Sequence, residues 1–471
     1  MKSFSLSKMS FTHHQMGFTG CPVVVYEKLY HEASLGFLYE SLESVEKRGR
    51  YSFIGAKPFL IFRSQGEQIR ITYGNVTMNA EGNPFDTLRQ LVQNGQSCPH
   101  VFPFSGGAVG YVGYDAIHFV ESIPDSNPDE LNIPDLFFMF PSELVVFDHL
   151  EQKADIILYS ETEIDYNRLE VIKKEIEKCR DKSLRNDFQA KADSVSMTSN
   201  FSCKDFCTIV NKAKEYILAG DIFQVVLSQR FSFDIPTDPL AIYKALRKTN
   251  PSPYMYYLHL NDLKILGSSP EILVKLAGNH VDVRPLAGTR RRGKSDQEDQ
   301  KFADELFADE KERAEHVMLV DLARNDIGRV CEFGSVQATH LFEIEKYSKV
   351  MHLVSDVTGK LVKDKDAFDL FQATFPAGTV SGAPKVRSME IIDELENVRR
   401  GVYAGAIGYF GYSGDMDMCI AIRMILIQKN KGYIQAGAGV VADSIPEREY
   451  QETCNKARAL IHAVEMEGRD E

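Results

Sequence analysis

The amino-acid sequence predicts an α+β fold, in which helices and antiparallel strands are interspersed along the chain. Short segments with alternating apolar and polar residues predict antiparallel strands, most clearly in residues 1–180. Longer segments with an apolar period of about 3.6 residues predict helices. The two kinds of segment lack the regular strand-helix-strand rhythm of a parallel sheet, and no repeat of fixed period indicates a solenoid.

The first predicted region spans residues 1–180. Strands are expected at 51–62 and 68–78, where clusters of Gly, Asn and Pro separate the alternating segments. Helices are expected near 85–93 and 165–179. Residues 181–200 are then polar, with little periodicity, and this composition predicts a linker.

The second predicted region spans residues 201–471 and begins with a helix at 203–219, which ends at Gly220, a residue typical of helix ends. The last helix is expected from Pro446 onward, with a capping box formed by Ser444 and Glu447. Other helices are expected around 296–327 and from about 384 to 396. The predicted strands lie at 223–233, 254–260, 264–267, 272–276, 404–412 and 416–428.

The composition excludes several classes of protein. The chain has 471 residues, of which 44% are hydrophobic and 26% charged, as in a globular protein. Its formal net charge of −13 argues against binding to nucleic acid or to an anionic membrane, because the attraction to phosphate would be opposed. The most apolar stretch, 419–427, is interrupted by Arg423 and is too short to span a bilayer.

The cysteines and the N-terminus predict a cytoplasmic location. Eight cysteines are scattered along the chain, and the closest pair, Cys203 and Cys207, has helical spacing rather than a CxxC spacing. They are therefore expected to be reduced thiols. Residues 1–15 lack the apolar segment of a secretory signal peptide.

Two predicted helices each carry a pair of glutamates. Glu312 and Glu315 are three residues apart and share a helix face, and Glu449 and Glu452 repeat this spacing. Acidic pairs of this kind are usually solvated. The alternative is a Mg²⁺ site, because this ion prefers hard oxygen ligands.

A site for a small polyanion is a second hypothesis. Arg423 lies inside a predicted apolar strand, where its guanidinium must either reach water or pair with an anion. Three glycine-containing segments, predicted as turns, would offer backbone N–H groups to such an anion, although each alone is more often a plain turn. They are 284–293 with Gly288 and Thr289, 375–385 leading into a helix near Ser381, and 435–441 with Gly437, Ala438 and Gly439.

Two further residues are candidates for acid-base chemistry. His352 lies in an apolar segment, so it is either a buried structural histidine or a general acid or base near neutral pH. Glu271 follows a Ser-Ser-Pro turn, where a capping or surface role is the alternative to catalysis.

Several segments, in order, resemble those of the chorismate-utilising enzymes. They are GSSPE, RPLAGTRRRG, AEHVMLVDLARNDIGRV, YSKVMHLVS, FPAGTVSGAPK, YAGAIGYF and QAGAGVVADSIPEREYQET, within residues 201–465. In the N-terminal third, SLESVEKRGRYSFIG and GGAVGYVGYD resemble the N-terminal region of the anthranilate synthase and aminodeoxychorismate synthase component I enzymes. The resemblance implies antiparallel sheets packed on each other, with helices outside.

The resemblance also implies the roles of individual residues. Glu315 and Glu452 would bind Mg²⁺ directly, and Glu312 and Glu449 through water. The catalytic residues would be Glu271, His352 and Thr379, with Glu271 protonating the departing 4-hydroxyl group and His352 assisting the loss of pyruvate. The residues that would hold chorismate are Gly288, Thr289, Tyr403, Arg423, Gly437, Ala438 and Gly439.

Two positions favour the anthranilate synthase branch of this family. Aminodeoxychorismate synthases usually have a nucleophilic lysine in a PIKGT turn, whereas this chain has PLAGT, and Ala287 cannot act as a nucleophile. Isochorismate and salicylate synthases have a lysine base at the position of Gln224, and glutamine cannot serve as that base. Ammonia is the remaining nucleophile, and it would attack C2 of chorismate to give anthranilate and pyruvate.

The resemblance further implies a protein partner and an inhibitor. No glutaminase signature is apparent in the sequence, so glutamine-derived ammonia is expected from a separate glutamine amidotransferase subunit in a hetero-oligomer. Feedback inhibition by L-tryptophan is also implied, although Ser41 and Arg48 depart from the residues usual near that site. The inhibitor would contact Glu43, Ser44, Pro253, Tyr254 and Met255.

Two alternatives remain open. The chain would be an aminodeoxychorismate synthase component I if the lysine of that enzyme is dispensable. It would otherwise be a non-catalytic scaffold that binds tryptophan or the amidotransferase. The retained set of candidate residues argues against a scaffold, because a protein without catalysis has no physical reason to keep them. This set is Glu271, Glu315, His352, Arg423 and Glu452.

Overall fold

A computed structural model of the protein describes residues 9–42, 49–96, 98, 102–184, 188–190, 195–347 and 350–468. Within these residues the pairings between successive and distant strands are antiparallel, and most strands join one hydrogen-bonded network that closes on itself. Helices pack against this network. The predicted α+β fold class is therefore confirmed.

The first strands and helices alternate up to residue 200. The strands are β1 (Ser10–Gly17), β2 (Leu35–Glu40), β3 (Tyr51–Gln65), β4 (Gln68–Tyr73), β5 (Val76–Glu81), β6 (Gly107–Val112), β7 (Leu136–Asp148), β8 (Lys153–Ser160), β9 (Phe188–Ala190) and β10 (Thr198–Ser199). The helices are α1 (Pro22–Tyr30), α2 (Pro84–Gln93) and α3 (Tyr166–Lys178), with a 3₁₀ helix at Tyr114–Phe119.

The rest of the chain adds the remaining elements. The strands are β11 (Gln224–Asp234), β12 (Tyr254–Leu260), β13 (Leu263–Ser269), β14 (Ile272–Ala277), β15 (His280–Val283), β16 (Leu286–Arg291), β17 (Gln337–Lys346), β18 (Val350–Lys360), β19 (Gly382–Ala383), β20 (Ala406–Gly411), β21 (Met416–Ile420), β22 (Met424–Gln428), β23 (Lys431–Val440) and β24 (Met466–Gly468). The helices are α4 (Cys203–Ala219), α5 (Pro239–Thr249), α6 (Asp296–Ala308), α7 (Glu310–Gly328), α8 (Ala367–Thr374), α9 (Lys385–Leu395) and α10 (Pro446–Val464), with a 3₁₀ helix at Gly378–Val380.

Helix caps explain where the helical predictions were right and wrong. Helix α4 has the predicted bounds and ends at Gly220 in the left-handed region, with φ +87°. The single helix predicted at 296–327 is two helices, because the Asp309 side chain accepts hydrogen bonds from the backbone N–H groups of Lys311 and Glu312 and starts α7. The predicted capping box of α10 is absent: Ile445 is the N-cap residue and makes no side-chain cap.

Strand pairing joins the two predicted regions. Strand β2 pairs with β12, and β6 pairs with β20, so that Gly110 lies opposite Gly408. The Tyr39 hydroxyl donates a hydrogen bond to the Gly408 carbonyl at 3.2 Å. One apolar cluster likewise contains Phe53 and Tyr256 from the two sides. Residues 1–180 and 201–471 are thus linked by backbone hydrogen bonds and by a shared core.

The helices and strands that contribute to the candidate site pack on this network. Helix α7 packs on β16 and β18, and α10 packs on β23 and on helices α4 and α5. Strand β23 pairs with β11 over ten residues of register, from Val225 opposite Val440 to Asp234 opposite Lys431. The two helices that carry the glutamate pairs therefore pack on different strands of the same network, α7 on β16 and β18 and α10 on β23. Across the residues that the structure describes, no helix is both long and apolar enough to cross a membrane.

Candidate active site

The four predicted glutamates lie on α7 and α10 and are electrostatically coupled. Burial raises the pKa of Glu315, and the negative charges of Glu312 and Glu452 raise it further. Burial and the charge of Glu452 raise the pKa of Glu449. The structure therefore brings together the two carboxylate pairs that are distant in the sequence.

The donor chemistry of this group fits a hard divalent cation, because it consists of carboxylate oxygens with excess negative charge. All four of these carboxylates have partners within the protein, which for Glu449 is the Ser444 side chain. The other pairs are Gln224 Nε2 with Glu315 Oε1 at 3.1 Å, Arg290 Nη1 with Glu312 Oε1 at 3.0 Å, and Lys456 Nζ with Glu452 Oε1 at 2.6 Å. In the part of the chain that the structure covers, no three His, Cys, Asp or Glu side chains are close enough to hold a metal ion. A bound cation would therefore have to replace these partners and draw the carboxylates closer.

Arg423 is not inside a strand, as the sequence predicted, but at a break between β21 and β22. Its backbone has φ +51°, in the left-handed region that non-glycine residues rarely adopt. Burial lowers the pKa of its guanidinium, whereas Tyr403 and Glu452 raise it. No carboxylate of the described residues forms an ion pair with it. The break thus holds a half-buried guanidinium that has no ion-pair partner among the described residues.

The unpaired guanidinium borders a cavity that also touches α10. Arg423, Glu452 and Lys456 line this cavity, which has a volume of about 470 Å³. Lys456 Nζ also donates a hydrogen bond to the Gly437 carbonyl at 2.8 Å. Two cations and a carboxylate therefore lie together near one end of β23, where an anionic ligand could interact with both positive charges.

Two of the three glycine segments predicted as turns are strands. Gly288 lies in β16 with φ +64°, and a Cβ atom there would be 2.9 Å from Glu312 Oε2. Gly437, Ala438 and Gly439 lie in β23. A Cβ atom at Gly439 would be 2.5 Å from Gln224 Nε2. These glycines let the polar side chains of neighbouring elements approach the strands closely.

The segment 375–385 contains a turn, but its helix starts later than predicted. The 3₁₀ helix Gly378–Val380 is followed by β19, and α9 begins at Lys385 rather than near Ser381. Tyr403 lies nearby, and a Cβ atom at Gly437 would be 2.7 Å from its hydroxyl oxygen. Burial raises the pKa of Tyr403 to about 12, so the phenol stays neutral and keeps its proton for donation.

His352 joins two of the predicted ligand residues. Its Nδ1 atom is 2.8 Å from the Gly288 carbonyl oxygen and 3.1 Å from Thr289 Oγ1. Because a carbonyl can only accept, Nδ1 must carry the proton, which leaves Nε2 as the acceptor of the neutral ring. Burial lowers the pKa of His352, and the charge of Arg423 lowers it further. The ring is thus arranged as a neutral base.

Glu271 is buried rather than on the surface. It is 7% exposed and lies between β13 and β14, where its backbone N–H is 3.4 Å from Ser269 Oγ. Burial raises the pKa of its carboxyl to about 8, although the Thr379 side chain and the Leu286 backbone N–H oppose this rise. At neutral pH the carboxyl therefore holds a proton that it can donate.

One buried cluster was not identified from the sequence. Arg400 is 2% exposed, and it donates two hydrogen bonds to the Glu396 carboxylate, one to the Val380 carbonyl at 2.8 Å and one to the Val226 carbonyl at 2.7 Å. Its guanidinium carbon lies 5.7 Å from the centre of the Tyr403 ring. Arg400 thereby fixes the turn that carries Thr379, strand β11 and Tyr403.

The predicted inhibitor residues that the structure describes border a second cavity. Pro253, Tyr254 and Met255 line a cavity of about 400 Å³ together with Glu40 and Ser41. Glu43 and Ser44 lie outside the described residues. The cavity therefore lies where β2 and β12, from the two predicted regions, come together.

Comparison with known proteins places the chain among enzymes that bind chorismate. The chorismate binding enzyme family matches residues 37–462. The chain is 49% identical to an anthranilate synthase component 1 of Acetivibrio thermocellus over 455 residues, which are 94% of this chain and 92% of that protein. It is 45% identical to the protein of the same name from Aquifex aeolicus, over 95% of this chain and 93% of that one.

Solved structures show the same fold. The crystal structure of anthranilate synthase component I from Streptococcus pneumoniae superimposes with a TM-score of 0.78 at 39% identity, covering 89% of this chain and 93% of that one. The menaquinone-specific isochorismate synthase of Escherichia coli superimposes with a TM-score of 0.73 at 19% identity, covering 98% of this chain and 96% of that one. At that identity the second likeness concerns the fold alone.

The Arg400 cluster predicts a large stability effect. The Arg400→Met variant should lower the free energy of unfolding by about 3–5 kcal/mol, because it leaves the Glu396 carboxylate buried without its cation. Urea denaturation of the purified protein measures this loss. The matched control is Arg399→Met, which removes an ion pair with Asp125 in which both side chains are partly exposed and should cost about 1 kcal/mol or less. Equal losses in the two variants would contradict the role given to Arg400.

Proposed function

The chain belongs to the chorismate-binding enzyme family, and we propose that it converts chorismate and ammonia into anthranilate and pyruvate, the first step of tryptophan biosynthesis. The observation that carries this proposal is the half-buried Arg423 guanidinium, which has no ion-pair partner among the described residues and borders an open pocket beside Glu452. Chorismate is a dicarboxylate, so one carboxylate can pair with this arginine.

The choice of nucleophile rests on two side chains. Ala287 offers no amine that could attack the ring, which disfavours the aminodeoxychorismate synthase alternative. Gln224 donates its amide N–H to Glu315 at 3.1 Å and cannot take a proton from water, which disfavours isochorismate formation. Ammonia needs neither group, because it carries its own lone pair.

The first step uses Glu271 as a general acid. The C4–O bond of chorismate breaks, the Glu271 proton goes to the departing hydroxyl group to form water, and ammonia forms a bond to C2. Burial keeps Glu271 protonated at neutral pH, and the Thr379 side chain lies against its carboxyl group. Proton donation of this kind contributes about 10²–10⁴-fold to a reaction rate.

The second step uses His352 as a base. The C2 proton leaves, the bond between the ring and the enolpyruvyl oxygen breaks, and the ring becomes aromatic. The departing enolpyruvate takes up a proton at its methylene carbon and becomes pyruvate. His352 holds its own proton on Nδ1 against the Gly288 carbonyl, so Nε2 is the atom that can accept the C2 proton. The overall reaction balances as chorismate and ammonia giving anthranilate, pyruvate and water.

Mg²⁺ is the cofactor that the glutamates would hold. Glu315 and Glu452 would contact the ion, with Glu312 and Glu449 acting through water. When bound, the ion would neutralise the charge of a substrate carboxylate and help orient the ring. The excess negative charge of this group supports the proposal: Glu312 and Glu452 add to the rise in the pKa of Glu315 that burial causes, and a divalent cation would remove that repulsion.

The ammonia would come from glutamine through a separate amidotransferase subunit, in a hetero-oligomer located in the cytoplasm. The support for this partner is the name of the relatives, since a component 1 implies a second component. Tryptophan would act as a feedback inhibitor in the cavity of about 400 Å³ that Pro253, Tyr254 and Met255 border.

The deciding experiment supplies the purified chain with chorismate, Mg²⁺ and an ammonium salt. Anthranilate is followed by its fluorescence and pyruvate by a coupled assay. Equal amounts of the two products support the proposal. Aminodeoxychorismate would instead identify the folate-pathway alternative, and no turnover would favour a scaffold that binds tryptophan or the amidotransferase.

The raised pKa of Glu271 predicts how the rate depends on pH. Because the acid form of Glu271 and the neutral form of His352 are the active ones, kcat should be flat from about pH 7 to about pH 8. Above that range kcat should fall about tenfold for each further pH unit, and it should also fall at acid pH as His352 is protonated. The measurement must hold the concentration of free NH₃ constant, since that concentration also changes with pH. The Glu271→Gln variant should lose at least about 10²-fold in kcat while still binding chorismate. Unchanged turnover in that variant would remove Glu271 from the mechanism.

The glutamate group predicts a metal requirement. Chelation with EDTA should abolish activity, and added Mg²⁺ should restore it. The Glu315→Gln and Glu452→Gln variants should each raise the Mg²⁺ concentration for half-maximal activity by at least about tenfold. The control is Glu305→Gln, at an exposed position on α6, which should leave this concentration unchanged. Full activity in EDTA would reject the metal.

The cavity at Tyr254 predicts specific binding of L-tryptophan. L-tryptophan should inhibit anthranilate formation, and it should also raise the melting temperature, because a ligand of the native state stabilises it by about 2.7 kcal/mol at 100 times Kd. D-tryptophan serves as the matched control ligand. If millimolar L-tryptophan changes neither activity nor melting temperature, the proposed inhibition is wrong.

A further inference from the structure

A small cavity lies directly against Glu271. Its volume is about 40 Å³, which is room for about two or three water molecules. Glu271 and Thr379 line one part of it, and Asp326 and Thr374 line another. The remaining lining is largely apolar, with Leu319, Leu322 and Ala323 from α7. The cavity therefore connects the carboxyl of Glu271 with a second acidic side chain through a mostly apolar wall.

The second acidic side chain forms a buried ion pair. Lys385 Nζ donates a hydrogen bond to Asp326 Oδ2 at 2.6 Å and another to the Thr374 carbonyl at 3.1 Å. The side chains of Asp326 and Lys385 are each 12% exposed, so the pair touches solvent, and Asp326 also lines the cavity. The proposed reaction assigns no task to either residue.

After each turnover Glu271 must be protonated again, and this arrangement can supply the proton. Once Glu271 has given its proton to the leaving hydroxyl, it is a carboxylate in a buried position, which is costly. The proton released at the amine and the proton lost from C2 arise on the substrate. Glu271 must regain a proton before the next turnover, and a path from solvent that avoids the occupied substrate site would supply it.

We propose that Asp326 and Lys385 form a proton relay that reprotonates Glu271 through water in this cavity. The inference rests on the proposed function, in which Glu271 is the general acid. In the relay, an O–H or N–H bond at the Asp326–Lys385 pair breaks, cavity water passes the proton on, and an O–H bond forms at Glu271. The pair then takes one proton from solvent, so no other reactant is consumed.

The charges around the relay suit proton exchange. Burial raises the pKa of Asp326, which Lys385 and Arg329 lower in part. Burial lowers the pKa of Lys385, against the effect of Asp326, while Arg329 and Glu121 act in opposite directions. The acid and base of the pair are thus brought closer in proton affinity, and the groups that face Glu271 are the Thr379 side chain and the Leu286 N–H.

The test removes both charges of the pair at once. The Asp326→Asn/Lys385→Ala double variant leaves no unpaired charge and opens the site to small solutes. With saturating chorismate, Mg²⁺ and ammonium, kcat should fall at least about tenfold while KM for chorismate changes less than about twofold. The solvent deuterium isotope effect on kcat should increase. Added imidazolium should restore kcat in proportion to its concentration, because a small acid can replace the relay.

Two further variants keep the result decisive. Ala323→Val narrows the cavity without touching the ion pair, and it should also lower kcat and raise the isotope effect, even if the double variant does not fold. Asp321→Asn changes an exposed aspartate on the same helix and should behave as the wild type.

The outcomes separate the relay from the proposed function. The relay is wrong if wild type makes anthranilate and both relay variants keep the wild-type kcat. It is also wrong if kcat falls without rescue by imidazolium and without a change in the isotope effect, since that is the behaviour of a structural pair. If wild type and Asp321→Asn make no anthranilate from chorismate and ammonium, the proposed function itself fails.

Discussion

The buried ion pair between Arg400 and Glu396 is the interaction on which the arrangement of the site depends. Both side chains are almost fully buried, and Ser228 donates its backbone N–H and its hydroxyl to the Glu396 carboxylate. Arg400 in turn binds carbonyls of β11 and of the Gly378–Val380 turn. A buried pair of this kind stabilises little by itself, but it fixes geometry because every bond has a required direction. Three segments that are far apart in the sequence thereby meet in one orientation.

The candidate site contains unbalanced charge of both signs, at different places. Arg423 is a half-buried cation without an ion-pair partner among the described residues, and the glutamates of α7 and α10 are anions with too few cations. A substrate carboxylate and a divalent cation would correct both imbalances together. This explains how a chain with a net charge of −13 can bind a dianion, because the positive charge is concentrated where the ligand lies.

The sequence predicted the fold class and the main chemistry because these leave local signals. The glutamate spacing on α7 and α10 and the bounds of α4 follow from helical periodicity. The break at Arg423 was missed, because a positive φ at a non-glycine residue leaves no mark in an apolar stretch. Arg400 was missed because its partners are backbone carbonyls from distant segments. Lys385 stood at the end of a motif that was recognised, but only the fold brings it to Asp326.

Glu271 and Glu315 both have a raised pKa, but the causes of the rise differ in part. Burial is the largest cause in both carboxyl groups, although Glu271 is buried and Glu315 is half-buried. For Glu315, neighbouring carboxylates add to the rise in pKa, so a bound cation would counteract that part of the rise. For Glu271, no nearby carboxylate contributes, and burial alone accounts for the rise in pKa. The buried group is therefore stabilised by binding a proton. Under the proposed function, these environments suit Glu315 to binding a metal ion and Glu271 to acid catalysis, and only Glu271 then needs a route by which a proton returns.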